Sequence, residues 1–293
     1  MLDTHAVRLI VLDIDGTIVG PGTGVTSRLR AALVSARDRG IQVVLATGRW
    51  MPSARPLAQE LGLTGAIILH NGAVVAEACT GAFITRLPLP HREAREAIDR
   101  VLACGGQPIV YESPLTGGGI VVGVEAQDSV DARRYLASKQ GVRRVDLTAE
   151  PLVPDPTQIV IADRGDRVAS IVRVLTDGPW QMVESMSVAV PEARFIEILA
   201  RGATKGRAAA RLAAGLGITR EGVLAIGDNF NDLDLIQWSG VGVAMGDAPD
   251  PVRRAADWVA PPLAEDGAAI AIERFALGIT GRRAPAAAGG SRG

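Results

Sequence analysis

The first seventy positions alternate between two hydrophobic periods. Residues 8–14 (RLIVLDI) form an apolar run with β-branched members, the pattern of a strand buried on both faces. Residues 26–39 have helical spacing and end at Gly40, 42–46 (QVVLA) repeat the strand pattern, 52–61 read as a helix opened by Pro52, and 66–69 (AIIL) as a third strand. Strand, helix, strand, helix, strand predicts a parallel sheet with right-handed crossovers. The C-terminal third resumes that rhythm: helix 204–215, strand 222–226, helix 231–238, strand 241–245, a short helix near 249–255, a strand near 257–259 and a helix at 266–276.

The middle of the chain follows another pattern. From about 84 to 190 it predicts helix 91–103, strands 107–111 and 119–124, helix 128–139, strand 157–162, helix 166–176, and strands 180–184 and 187–190. Two halves of helix and strands predict an α+β insert folded over one edge of the parallel domain. The expected division is therefore a discontinuous core, 1–83 with 191–280, and an inserted domain, 84–190. Gly/Pro-rich junctions near 80–90 and 188–191 are candidate hinges, and the small-residue tail 281–293 is expected to be disordered.

Composition narrows the function classes. Apolar residues make up 47% of the 293, enough for a sizeable core, and 31 basic against 32 acidic residues give a formal net charge of -1. A near-neutral chain without a basic block has no electrostatic footprint for nucleic acid. No apolar run approaches the roughly 18 residues needed to cross a bilayer. Asp3, Arg8 and Asp13 interrupt any signal-peptide pattern at the N-terminus, so the chain reads as cytoplasmic. Cys79 and Cys104 make neither a disulfide framework nor a zinc site, and His5, His70 and His91 have no metal spacing.

The chemistry concentrates at predicted strand ends, where open α/β sheets bind ligands. Asp13-Ile14-Asp15-Gly16-Thr17 closes the first strand. Period-two alternation starts Asp13 and Asp15 on one side, and Gly16 permits the tight turn that aims both at one spot. Two such carboxylates repel unless a divalent cation compensates; one could then attack phosphorus while the other moves a proton. An isolated D-x-D would more simply be a turn pair, but further motifs stand in register with it.

Thr47-Gly48-Arg49 closes the second strand, where a hydroxyl, backbone N–H groups and a helix start can cradle phosphate oxygens, or simply make a capped turn. Lys205 opens a helix, an unfavourable place for a cation unless an anion is near. It would neutralise a phosphoryl group and the nucleophile, or lie exposed on a fraying turn. Lys139 and Lys205 are the only lysines in the chain. Gly227-Asp228-Asn229-Phe230-Asn231-Asp232 closes the strand 222–226. There Asp228 can complete an all-oxygen magnesium site and Asp232 can support it from behind, or the segment can act as an acidic helix cap. Asn71-Gly72 either contributes an amide to the substrate mouth or is a short hairpin signal, and AVVAE followed by FITRL looks like a hairpin.

In this order DIDGT, TGR, NGA, TKG and GDNFND resemble the motifs of the haloacid dehalogenase superfamily of phosphatases, and GVAMGDA, EDGAA and the insert are similar to its Cof-like branch. The resemblance covers nearly the whole chain apart from the tail. It implies an α/β fold, a Rossmann-like parallel-sheet core with an inserted α+β cap, and magnesium-dependent hydrolysis of a small phosphomonoester, with a sugar phosphate as first expectation. Carried over, it makes Asp13 the nucleophile of an aspartyl-phosphate intermediate, Asp15 the general acid/base, and Thr47 and Lys205 the holders of phosphoryl oxygens. Asp13, the Asp15 carbonyl and Asp228 would bind Mg2+ with Asp232 close behind, and Gly48, Arg49, Asn71 and Asn231 would lie on the substrate side. Few aromatic residues in the insert argue against stacking on a nucleobase. A phosphosugar mutase or phosphotransferase, and a non-catalytic phosphometabolite-binding protein, are the competing readings. Either a monomer or a homodimer would serve.

Overall fold

The apolar run at the N-terminus forms the middle of a sheet because it can be covered from both sides. The protein is described by a computed structural model for residues 6–113, 118–124, 128–137, 139–149, 155–187 and 190–279. From the N-terminus come β1 (Leu9–Leu12), α1 (Ser27–Asp38), β2 (Gln42–Ala46), α2 (Met51–Glu60), β3 (Ala66–Leu69), β4 (Val74–Glu77) and β5 (Phe83–Arg86). Next are α3 (His91–Ala103), β6 (Ile109–Tyr111), β7 (Ile120–Val122), α4 (Val130–Ala137), β8 (Val142–Arg144), β9 (Gln158–Asp163), α5 (Gly165–Leu175), β10 (Gln181–Ser187) and β11 (Val190–Leu199). The chain then runs through α6 (Lys205–Gly215), β12 (Val223–Gly227), α7 (Leu233–Trp238), β13 (Val241–Ala244), α8 (Asp250–Ala255), β14 (Trp258–Val259) and α9 (Gly267–Phe275).

The first sheet has the order β14-β13-β12-β1-β2-β3-β4-β5. Its strands are parallel from β14 to β3 and antiparallel at β4 and β5. Alternate side chains feed two different cores, as a period of two requires. Ile10, Leu12 and Leu45 pack with Leu29, Leu33 and Ala36 of α1, Leu57 of α2 and Ile272 of α9. Leu9, Val11 and Val44 pack on the other face with Ala208, Ala209 and Ala213 of α6 and Leu235 of α7. Two of the flanking helices start from threonine caps: Thr26 accepts from the Leu29 N–H, and Thr204 from the Arg207 N–H.

The second sheet has the order β10-β11-β9-β6-β7-β8. One face is covered by Ile98 and Val101 of α3 with Val168 and Ile171 of α5, and the other by Ala132 and Leu136 of α4. Trp50, which precedes α2, packs against the α4 side, so this face of the second sheet meets the first sheet's loops. Of the short strand expected near 187–190, Ser187 ends β10 and Val190 opens the ten-residue β11, which pairs antiparallel with both β10 and β9. Residues 188–189 themselves, like the tail beyond 279 and His5, lie outside the described residues. The pattern missed β8, a three-residue strand containing one apolar residue.

Between β3 and β4 the chain turns through His70, Asn71 and Gly72, with φ of 47°, 49° and 98°. The NG pair therefore does turn a pair of antiparallel strands, β3 and β4, and a second turn joins β4 to β5. A Cβ on Gly72 would lie 2.2 Å from the backbone carbonyl oxygen of Thr204, the cap of α6. The turn and the helix start therefore touch through backbone, with no flexible side chain to yield. Gly72→Ala is expected to cost about 3 kcal/mol, read as a lower urea midpoint with an unchanged m-value; an unaltered midpoint would contradict this packing.

Candidate active site

Asp13 leaves β1 with its N–H bonded to the Ile226 carbonyl at 3.0 Å, which fixes it beside the end of β12. Gly16, at φ 86°, brings the chain back so closely that an added Cβ would sit 2.2 Å from Asp228 Oδ2. Only glycine lets the two strand ends share this space. Thr17 donates to Asp228 Oδ1 at 3.1 Å.

Lys205 is 0% exposed, and its Nζ lies 2.5 Å from Asp13 Oδ1 and 2.7 Å from Asp232 Oδ1. The lysine at a helix start thus faces anions, as its position demands. Burial pulls its pKa down, but the charges of Asp13 and Asp232 outweigh burial and raise it above the ordinary lysine value. Asp232 Oδ2 accepts from the N–H groups of Asp228 and Asn229, both at 3.1 Å. With both oxygens occupied, Asp232 orients the loop and the ammonium.

One ammonium does not balance the site. Ligand oxygens of Asp13, Asp228 and Asp232 all lie within 4.8 Å of one another. Burial, then the Asp232 charge, pushes Asp13 up to about 7. Asp228 is held well above the usual carboxylate range, first by burial and then by Asp13 and Asp232. A cluster of hard oxygen donors short of positive charge fits a divalent cation of the magnesium type.

Asp15 lies near enough to Asp13 for its charge to help raise the Asp13 pKa, but it has a partner of its own. Its carboxylate is turned to Arg49, which donates from Nε at 2.8 Å and Nη2 at 2.6 Å. The bidentate fork offsets the charge that Asp15 brings beside a second carboxylate. Both aspartates still line one cavity of about 330 Å³, with Thr47, Gly48, Arg49 and Asn231. Thr47 Oγ1 accepts the Arg49 N–H at 3.1 Å and so shapes the turn after β2.

Asn71 is not on the cavity wall. Its Nδ2 donates to Glu197 Oε2 at 2.7 Å, and its Oδ1 accepts from Asn231 Nδ2 at 3.0 Å. Glu197, buried on β11, also accepts from Gln158 and Ser185. Gln158 Oε1 lies 2.6 Å from His70 Nδ1, and burial holds His70 down at about 4. This polar chain joins the loops of the first sheet to β9, β10 and β11 of the second.

Glu197, Gln158, Ser185, Tyr135, Lys139, Trp50 and Phe195 also line the cavity, and sequence reasoning assigned none of them to the site. One signal was present: Glu197 is a lone acid inside the apolar run RFIEILA, a place where charge is costly unless it is paired.

The sequence model for haloacid dehalogenase-like hydrolases matches residues 10–272. The chain belongs to that family. A phosphoglycolate phosphatase of Methanoculleus marisnigri is 27% identical over 92% of the chain and 96% of its own length. A Bacillus subtilis 5-amino-6-(5-phospho-D-ribitylamino)uracil phosphatase is 26% identical, over 92% and 96%. The crystal structure of a haloacid dehalogenase-like hydrolase from Bacteroides thetaiotaomicron superimposes with a TM-score of 0.74 at 30% identity, covering 92% of this chain and 99% of that one. This haloacid dehalogenase-like hydrolase is an enzyme of the phosphatase type. Among its described residues no helix is long and apolar enough to cross a membrane.

The Glu197 network carries a pH signature. Burial pushes Glu197 up to about 7, against hydrogen bonds from Ser185, Asn71 and Gln158 and the charge of Lys205. A carboxylate raised in the folded state penalises folding above that pH, and the penalty disappears as pH falls towards the unfolded value. The Tm of Glu197→Gln minus that of the native chain should therefore rise by roughly 2–5 °C between pH 5 and pH 8. A flat or falling difference would show that Glu197 is not held up by burial.

Proposed function

We propose that the chain is a magnesium-dependent phosphomonoesterase that passes phosphate through Asp13 to water. The observation that carries this reading is the buried Lys205 ammonium on Asp13, beside Asp228 at the end of the neighbouring strand. Asp13 and Asp228 would hold Mg2+, with Asp232 behind them. When bound, the ion supplies charge neutralisation for an anionic nucleophile meeting an anionic substrate.

The residues divide the work. Lys205 orients the Asp13 carboxylate and offsets charge on the phosphoryl oxygens, with Thr47 and the backbone at Gly48 beside them. An Asp13 oxygen attacks phosphorus, the bond from phosphorus to the ester oxygen breaks, and Asp15, having taken up the proton that a monoanionic ester brings with it once Arg49 turns to the substrate, passes that proton to the ester oxygen. Water then attacks the phosphoryl group, Asp15 takes the water proton, and the Asp13–phosphorus bond breaks to release phosphate. Because Arg49 grips Asp15, substrate oxygens drawing Arg49 away would free Asp15 for this role. The second sheet, with α4 and β9–β11, would act as a cap whose wall meets the leaving group. The substrates in the relatives' names share a phosphomonoester and differ in that leaving group, which supports assigning the shared loops to transfer and the wall to choice.

Phosphate release from a panel of phosphorylated metabolites should require Mg2+ and fall by about 1,000-fold or more in Asp13→Asn. Mg2+ should raise the Tm of the native chain but not of Asp228→Asn. Turnover that survives Asp13→Asn would sink the nucleophile assignment. Isomerised phosphosugar without phosphate release would replace hydrolysis by mutase chemistry.

A further inference from the structure

The leaving-group side of the cavity carries a positive charge that the transfer steps do not use. Lys139, just past α4, lines the same cavity as Asp13, Asp15 and Arg49. Its Nζ lies 4.3 Å from the centroid of the Tyr135 ring. Among the described residues no carboxylate lies within ion-pair distance of it. The other cation lining the cavity, Arg49, is engaged by Asp15, and Lys205, buried behind Asp13, is engaged by Asp13 and Asp232.

Placing Lys139 here is unfavourable without an anion. Burial lowers its pKa, and the Arg49 charge lowers it further, against a smaller pull from Asp15. Two like charges in a part-buried cavity repel more strongly than they would in water. The ring of Tyr135 offsets part of this, on the order of 1 kcal/mol, but satisfies no N–H donor. The apolar part of the cavity lining comes from Trp50, Tyr135, Val160 and Phe195, which lowers the local dielectric and strengthens any ion pair formed there. The cavity, about 330 Å³, lies at the small end of the range for ligand sites.

Resting on the phosphatase reading, we infer that Lys139 reads a negative charge on the leaving group. The substrate is then a short phosphomonoester that bears a second anionic group, a carboxylate or another phosphate, at the end remote from the transferred phosphorus. The cap selects it by charge as well as by size.

The test compares matched esters with Mg2+ present: 2-phosphoglycolate against 2-hydroxyethyl phosphate, and propane-1,3-diol bisphosphate against the monophosphate. One anionic member should be favoured about tenfold or more in kcat/KM, mainly through KM, the size of one charge-assisted contact. The favoured pair tells carboxylate from phosphate. Lys139→Met should cost that anionic ester about tenfold more than its neutral partner, and Lys139→Arg should restore the preference. No preference in the native chain, or equal losses for both members in Lys139→Met, overturns the inference, the second result placing Lys139 on the transferred group. p-Nitrophenyl phosphate separates the two levels. If it is hydrolysed and charge is ignored, only this inference fails; if no ester at all is hydrolysed, the phosphatase reading fails and the inference with it.

Discussion

The contact of Lys205 with Asp13 and Asp232 is the constraint around which the rest is arranged. It joins residues 192 positions apart in sequence. Without the ammonium, the ends of β1 and β12 would crowd three carboxylates into a dry space. Such a cluster is poor evidence for stability, since desolvating the ions consumes most of their attraction. Its cost makes sense as chemistry: a nucleophilic carboxylate must stay close to its cation and away from water until phosphate arrives. The mostly parallel sheet supplies the place, because it ends its central strands together at one edge.

A second polar system sets the other wall. His70 and Asn71 adopt positive φ without being glycine, a strain that persists only where the surroundings enforce it. What enforces it is visible: Gly72 lies against the Thr204 backbone, and the two side chains bond Gln158 and Glu197. The strained turn therefore touches the start of the Lys205 helix and the second sheet at once. The Lys205 helix and the polar residues of the second sheet are thus tied to the same three residues.

The parallel core was legible because its strands are buried on both faces and read as apolar runs, whereas β8 is too short and polar to register. Asp13, Lys205 and Asp228 were legible for a different reason: each stands at the end of an element where its charge has no structural use. Gln158, Ser185, Tyr135 and Lys139 give no such local signal, because their meaning depends on which loops the second sheet faces. Asp15 marks the limit of periodicity arguments. Alternation placed it with Asp13, and both do line one cavity, but the guanidinium fork that holds the Asp15 carboxylate was not legible from the period.

That fork also bears on how the site would act. An acid/base held bidentately by arginine cannot deliver or accept a proton at substrate without loosening one of two charge-assisted bonds. A phosphate ester entering the cavity offers Arg49 an alternative anion of similar geometry, so release of Asp15 can be coupled to binding with no movement of the backbone. Arg49 lies beside Trp50, which packs on the α4 face of the second sheet. On the proposed mechanism, the substrate that frees Asp15 would also set its leaving group towards the wall that carries Lys139, so that substrate choice and proton transfer would follow from one binding event.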